Sequence, residues 1–396
     1  METKFLDKHK RAKSILAILA MFICTDICLG ISNTKKYNVL QIDEKTIDQI
    51  RKAAEQGDAK AQYDLGAMCY GGNGAEQNYK EAFNWFKKSA EQGDAKAQYS
   101  LGTMYSKGEG TTQDYKQAFN WFKKSAEQGH AKAQYNVGVM CYTGYGTTQD
   151  YKKAFLWSKK SAEQGYAKAQ YSLGVMYSKG EGSKQDYKEA INWYKKAAEQ
   201  RHAKAQYSLG AMYYNGEGVK QDYKEAFNWY KKSAEQGDSK AQCCLGWMNS
   251  NGEGSKQDYK EAIKWYKKAA EQGDADAQNG LGEIYYYGQG VEQNCKEAIK
   301  WFEKATEQRN AKAQYNLGVV YDKGRGVKQD YKEAIKWYKK AAEQGDADAQ
   351  YNLGVMYYEG AGIEQNYKEA IKWFEKAAEQ GHIEAKTALT KILESK

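Results

Sequence analysis

Apolar and small residues return along this chain with a period of 36, and inside each period they follow the spacing of two separate helices. In the first unit Ala61, Leu65 and Cys69 fall at i, i+4 and i+8, one packed face of a helix (helix A) that starts at the capping residue Asp58. A pair of glycines two residues apart then interrupts the pattern: Gly72 and Gly74 here, Gly180 and Gly182 or Gly360 and Gly362 further on. A second helix (helix B) begins near Asn78, carries Tyr79, Ala82, Phe83 and Trp85, and ends at Gly93. Ala61, Gly66 and Ala82 let neighbouring helices approach closely, and the recurring Trp85 is expected to fill the space they leave.

The period runs without an insertion or deletion through Trp85, Trp121, Trp157, Trp193, Trp229, Trp265, Trp301, Trp337 and Trp373. Such strict repetition is the signature of a solenoid, in which each unit leans on its neighbours because no helix can bury its face alone. Ile47, Ile50, Ala53 and Ala54 read as a lone helix B before the first unit. Ile383, Ala385, Ala388 and Leu389 read as a lone helix A after the last. The expected fold is all-α: a solenoid of nine 36-residue helix-turn-helix repeats over 58–381, between half-repeat caps at 31–57 and 382–396.

Composition sharpens this picture. With no proline and 38 glycines, glycine does all the punctuation. The 60 basic and 51 acidic residues are interspersed, so the net charge of +9 speaks for solubility and no specific nucleic-acid partner is expected. The first thirty residues differ from the rest: Lys4, Lys8, Lys10, Arg11 and Lys13 precede an apolar run from Ile15 to Cys24, the layout of a signal peptide at 1–30. That run is too short for the roughly 20 residues of a spanning helix. Export to the periplasm or beyond is expected, with no membrane span after cleavage, and an uncleaved anchor is the alternative.

Candidate chemistry is absorbed by the repeat. The Gly-x-Gly pairs are turns between helices, not phosphate loops after a strand. His130, His202 and His382 stand where Asp58, Asp94, Asp274 and Asp346 cap helix A elsewhere, and no spacing suits a metal. Five cysteines follow the signal, an odd number without a disulfide framework. Cys69 and Cys141 read as core residues, and adjacent Cys243 and Cys244 as free thiols. No catalytic residue, metal or cofactor is expected.

Once the packed face of helix A is assigned, the face left over lines the concave wall. It bears a tyrosine column, Tyr63, Tyr99, Tyr135, Tyr171, Tyr207, Tyr315 and Tyr351, broken at Cys243 and Asn279. Beside it stands a lysine column that includes Lys60, Lys96, Lys132, Lys168 and Lys204 and is interrupted by Asp276 and Asp348. Tyrosine brings contact area and a hydroxyl, lysine a charge, so this groove suits a protein or peptide of acidic character. Two adjoining units depart from the pattern together. Trp247 and Glu283 occupy the groove position held elsewhere by Ala67, Thr103 or Val139, and Cys243, Cys244, Asn249, Asn279, Gly280, Tyr286 and Tyr287 change around them. They mark a candidate specificity patch with Trp247 as anchor.

The A-K-A-Q-Y-x-L-G-x-M-Y, G-x-G and Y-K-E-A-x-x-W-Y-K-K motifs, as in residues 202–236, resemble the Sel-one-like repeat family, relatives of the tetratricopeptide repeats. The resemblance covers 43–396 and implies antiparallel helix pairs in a right-handed superhelix that scaffolds protein complexes, with bacterial members often exported and some engaging host proteins. Cysteine-rich relatives carry a disulfide in each unit and have been linked to penicillin binding or weak β-lactamase activity, which makes a β-lactamase-like or cell-wall-directed hydrolase the alternative. This chain lacks that regular cysteine pair. The expectation is a non-enzymatic scaffold that binds a protein or peptide in its groove.

Overall fold

The computed structural model describes residues 44–73 and 76–394; the expected signal segment and residues 31–43 of the N-terminal cap lie outside the described residues. Among the described residues the only regular elements are helices. Helix α1 (Glu44–Glu55) is the lone leading B helix. The A helices are α2 (Ala59–Gly71), α4 (Ala95–Lys107), α6 (Ala131–Thr143), α8 (Ala167–Lys179), α10 (Ala203–Asn215), α12 (Ser239–Asn251), α14 (Ala275–Tyr287), α16 (Ala311–Lys323) and α18 (Ala347–Glu359). Each is followed by its B partner: α3 (Tyr79–Glu91), α5 (Tyr115–Glu127), α7 (Tyr151–Glu163), α9 (Tyr187–Glu199), α11 (Tyr223–Glu235), α13 (Tyr259–Glu271), α15 (Cys295–Glu307), α17 (Tyr331–Glu343) and α19 (Tyr367–Glu379). Helix α20 (Ile383–Glu394) closes the array. The architecture is an all-α solenoid, and the described residues divide into two compact units that meet after Gln200. Within each, a helix packs chiefly on the next in sequence.

Local chemistry sets the boundaries. Asp58 accepts the Ala61 amide at 2.6 Å, and His130, His202 and His382 do the same with Nδ1 toward the amide three residues on, each at 3.2 Å. These histidines are caps, as their position in the repeat suggests. The first turn glycine ends helix A in the left-handed region, as at Gly72 with φ 71°. The second, as at Gly110 with φ 71°, is also left-handed and serves a close approach as well: a Cβ there would overlap the carbonyl of Tyr79 in the preceding B helix.

The space beside the helix A glycine is filled differently from the sequence expectation. It is not the tryptophan but the next residue that enters it. Phe86, Phe122, Tyr194, Tyr230, Tyr266, Phe302, Tyr338 and Phe374 are all buried, and a Cβ at Gly102 would stand 2.8 Å from the Phe122 ring. Adjacent helical positions point about 100° apart, so only one of the two rings can face its own A helix. The tryptophans turn toward the preceding unit instead: Trp265 joins the core built by α11 and α12, and Trp373 that built by α17 and α18. Most remain half-buried, each with a lysine ammonium over the ring, as for Lys88 at 4.1 Å from the Trp85 centroid. At the C-terminal end Ala385 is fully buried, whereas Ile383, read as part of the lone A helix, is exposed at the first residue of α20.

A buried polar chain ties units together. Gln98 donates to the Ala90 carbonyl of the preceding B helix at 3.2 Å and accepts from Gln128 of its own B helix at 2.8 Å. The same relay repeats at Gln62 with Gln92 and at Gln242 with Gln272. Ser125 adds a bond from its hydroxyl to the Ala95 carbonyl at 2.6 Å. These bonds satisfy side chains that would be costly to bury alone.

Candidate binding face and its pocket

Helix A positions the tyrosine column by the same spacing that buries its opposite face. Tyr63, Tyr99, Tyr135, Tyr171, Tyr207, Tyr315 and Tyr351 are all half-buried. Most lean on the B-helix ring of their own unit, with centroids 5.7 Å apart for Tyr99 and Phe122 and 5.6 Å for Tyr207 and Tyr230. Where Ser158 replaces that ring, Tyr135 pairs with Tyr166 at 5.3 Å instead. Tyr99 and Tyr351 also meet the capping histidines of the following unit, His130 at 4.8 Å and His382 at 4.7 Å. The column therefore both packs and presents a surface. Burial pushes the phenols of Tyr63, Tyr99 and Tyr315 up, that of Tyr315 to about 12, so they stay protonated donors at neutral pH. Lys96 and Lys132 are exposed beside them, and Lys168 and Lys204 are half-buried.

The departures at the sixth and seventh units converge on one cavity of about 340 Å³. Its lining includes Cys243, Cys244 and Trp247 of α12, Asp276, Asn279, Gly280 and Glu283 of α14, and Lys312 of α16. The cause is lost ring volume: Cys243 and Asn279 stand where seven units carry tyrosine, so the ring of Tyr266 has no tyrosine above it. Gly280 lets the Tyr266 ring lie close against α14, because a Cβ there would stand 2.7 Å from Tyr266 Cζ. Trp247 stands at the wall with 49% of its surface exposed. Burial pushes the Cys244 thiol up to about 12 and that of Cys243 up as well, with Asp274 adding to both shifts. Both are neutral, poorly nucleophilic thiols at ordinary pH. All five described cysteines are free.

Asn249, Tyr286 and Tyr287 of the expected patch lie outside that lining, and Asn249 is buried, donating to the Leu245 carbonyl of its own helix at 2.8 Å. Tyr286 is 4% exposed and lies among Ile299, Phe302 and Leu317, with the Arg325 guanidinium 5.6 Å from its ring centroid. At the same position Tyr70, Tyr142 and Tyr214 instead reach across to Glu109, Glu181 and Glu253, donating at 2.6, 2.7 and 2.9 Å. Arg325 stands where those glutamates would recur, so Tyr286 has no carboxylate to reach and its ring folds under the cation. Its neighbour Tyr287 is the exposed ring, at 60%. The tyrosine–glutamate clasp is a feature that the 36-residue reading missed. Its signal is a 72-residue superperiod, Tyr70, Ser106, Tyr142, Ser178, Tyr214, Ser250.

Among the described residues no group of three or more His, Cys, Asp or Glu side chains is placed to hold a metal ion, and no helix is long and apolar enough to cross a membrane. A stack of paired helices that presents one face of every A helix defines a repeat scaffold of the tetratricopeptide-like kind. More narrowly, the profile of the Sel1 repeat matches nine times without a gap, from 59–94 to 347–382, and the chain belongs to the Sel1 repeat family. Proteins of this family are generally interaction scaffolds and not enzymes. Among solved structures, the chain is similar to c5321, a protective antigen present in uropathogenic Escherichia coli strains and displaying an SLR fold. Identity is 41%, the match covers 88% of this chain and 74% of that one, and the TM-score is 0.79. A Sel1 repeat protein from Oxalobacter formigenes is 29% identical over 91% of this chain and 95% of its own, with a TM-score of 0.58. No curated protein matches the sequence significantly.

Proposed function

We propose that this chain is an exported, non-enzymatic scaffold that binds a protein or peptide along its A-helix face. The observation that carries the reading is the repetition on that face: half-buried tyrosines at 36-residue intervals, flanked by lysines, with rings held by the B helices beneath. Preorganised aromatic surface of this kind loses little side-chain entropy on binding and is favoured at interface hot spots. Export is supported by the basic-then-apolar layout of the first thirty residues and by the likeness to c5321, described as a protective antigen. An acidic partner fits Lys96, Lys132, Lys168 and Lys204, which belong to the first five repeats; Asp276 and Glu283 change the sign further along. A chromogenic β-lactam assay on rigorously purified protein addresses the hydrolase alternative, and no turnover is expected.

The test is capture of proteins by the chain from residue 31 onward, against a variant with Tyr99→Ala, Tyr135→Ala, Lys96→Glu and Lys132→Glu, with bound proteins identified by mass spectrometry. The reading requires a protein retained by the wild type and lost by the variant, whose helical content is checked by circular dichroism. Retention of the same set by both overturns the A-helix face as the site.

A further inference from the structure

The cavity at the sixth and seventh repeats differs in charge as well as in shape from the corresponding places in other units. Asp276 replaces the lysine of Lys60, Lys96, Lys132, Lys168, Lys204, Lys240 and Lys312, and Glu283 replaces an apolar or small groove residue. Two carboxylates thus line it against the single ammonium of Lys312. Both accept hydrogen bonds from amide side chains, which carry no charge of their own. Glu283 Oε1 accepts from Asn279 at 2.9 Å and from Asn316 at 3.1 Å, and Asn316 also donates to Asn279 Oδ1 at 2.8 Å. Asp276 Oδ1 accepts from Asn310 at 2.8 Å. The rest of the lining is largely aromatic or apolar, with Tyr214, Tyr230, Tyr266, Met248 and the half-exposed Trp247. The two thiols remain neutral and add no charge.

Aromatic faces next to fixed carboxylates recognise organic cations: the rings attract the charge through their quadrupoles and the carboxylates accept its hydrogen bonds. They repel anions. A guanidinium fits better than an ammonium because it is planar, stacks on an indole or phenol face, offers a fork of donors to a carboxylate, and gives up its water more readily. A volume of about 340 Å³ falls at the small end of ligand pockets, room for one long side chain rather than a folded element. We propose that this cavity is a specificity pocket that takes an arginine side chain of a peptide partner, stacked on Trp247 or Tyr266 and paired with Glu283. The inference rests on the A-helix face being the binding surface, and it sets the local charge preference opposite to that of the lysine-bearing repeats.

The test is fluorescence anisotropy with a labelled nine-residue Gly/Ser peptide carrying one central arginine, titrated with the full chain at 0.15 M salt. Comparison peptides carry citrulline, its neutral isostere, or lysine, and N-acetyl-arginine amide competes as the free small molecule. The arginine peptide should bind at least tenfold more tightly than the citrulline peptide, and Glu283→Gln should remove most of that difference. Competition by the amide at its own dissociation constant within twofold of the peptide's would mean that a free cation, not a peptide, is the ligand, and would overturn the peptide assignment. A second variant, Cys243→Tyr with Asn279→Tyr, restores the residues of the other seven units and places ring volume in the cavity. It should abolish arginine discrimination with unchanged helical content. Equal affinity for arginine and citrulline, no arginine binding up to millimolar protein, or discrimination that survives the filled variant each overturn the inference. The protein capture described above is read separately: arginine discrimination absent in the wild-type chain while capture persists defeats the pocket alone and leaves the groove reading standing.

Discussion

The glycine at the centre of each A helix gives a prediction whose sign reverses with its neighbour. Gly102 faces Phe122, which is 2% exposed, and an added Cβ would stand 2.8, 2.9 and 3.1 Å from three ring carbons. Favourable carbon contacts begin near 3.5 Å, so the ring would have to retreat by about 0.7 Å in a closed core. Overpacking of this kind costs ~1–3 kcal/mol. Removing a glycine from a helix interior returns ~1 kcal/mol, so Gly102→Ala should destabilise by about 1 kcal/mol net. In a Phe122→Ala background the clash is gone and only the propensity gain and partial cavity filling remain. There the same substitution should stabilise by about 1 kcal/mol, against the ~3–5 kcal/mol that Phe122→Ala itself costs. The coupling of ~2 kcal/mol is well above that of independent sites. Native-state hydrogen exchange of the α4 and α5 amides suits a repeat array, because it reports local opening without assuming two-state unfolding. Stabilisation by Gly102→Ala in both backgrounds, or a coupling below about 0.5 kcal/mol, would refute the close-approach argument.

Other substitutions probe the caps and the polar chain. His130 caps α6 through a neutral Nδ1, and burial followed by the charges of Lys132 and Lys96 lowers its pKa below 6.5. The unfolded chain therefore takes up the proton first: the stability from this cap is complete above pH 6.5 and falls as pH drops through the depressed folded value. His130→Asp should flatten that part of the pH–melting profile, and an unchanged profile counts against the cap. Arg309 holds φ 61° where most units place glycine, so Arg309→Gly should raise the urea midpoint, by about 0.5–1 kcal/mol in free energy. Gln98→Ala removes both ends of a buried relay and should cost ~1–3 kcal/mol, seen as faster exchange at the α3–α4 junction.

Much of this structure could be read from the sequence because the repeat is strict. With no insertions, one unit's spacing predicts every helix, and the capping role of His130, His202 and His382 follows from their position in the repeat alone. Periodicity cannot rank neighbours that are equally periodic. Trp121 and Phe122 recur with the same interval, and only the placement of Gly102 opposite Phe122 tells which ring is enclosed. The same limit let Tyr286 read as a groove residue when its neighbour Tyr287 is the exposed one. The glutamines are legible as recurrent but not as a relay, since their partners lie 30 residues apart or in the preceding unit. The altered patch at Cys243, Trp247, Asn279 and Glu283 is visible in the sequence as departures from the pattern. The cavity is not, because it arises from ring volume missing on two successive A helices above one shared tyrosine.

The central claim, that partners dock on the A-helix face, is tested most directly by site-specific photocrosslinking. A photoreactive amino acid is placed at Lys96 or Lys132 on that face and, as controls, at Lys87 or Lys123, which pair with Glu91 and Glu127 on the B helices. The account predicts that a captured protein forms adducts at the first pair of positions and not at the second. Adducts confined to the B-helix positions would contradict it.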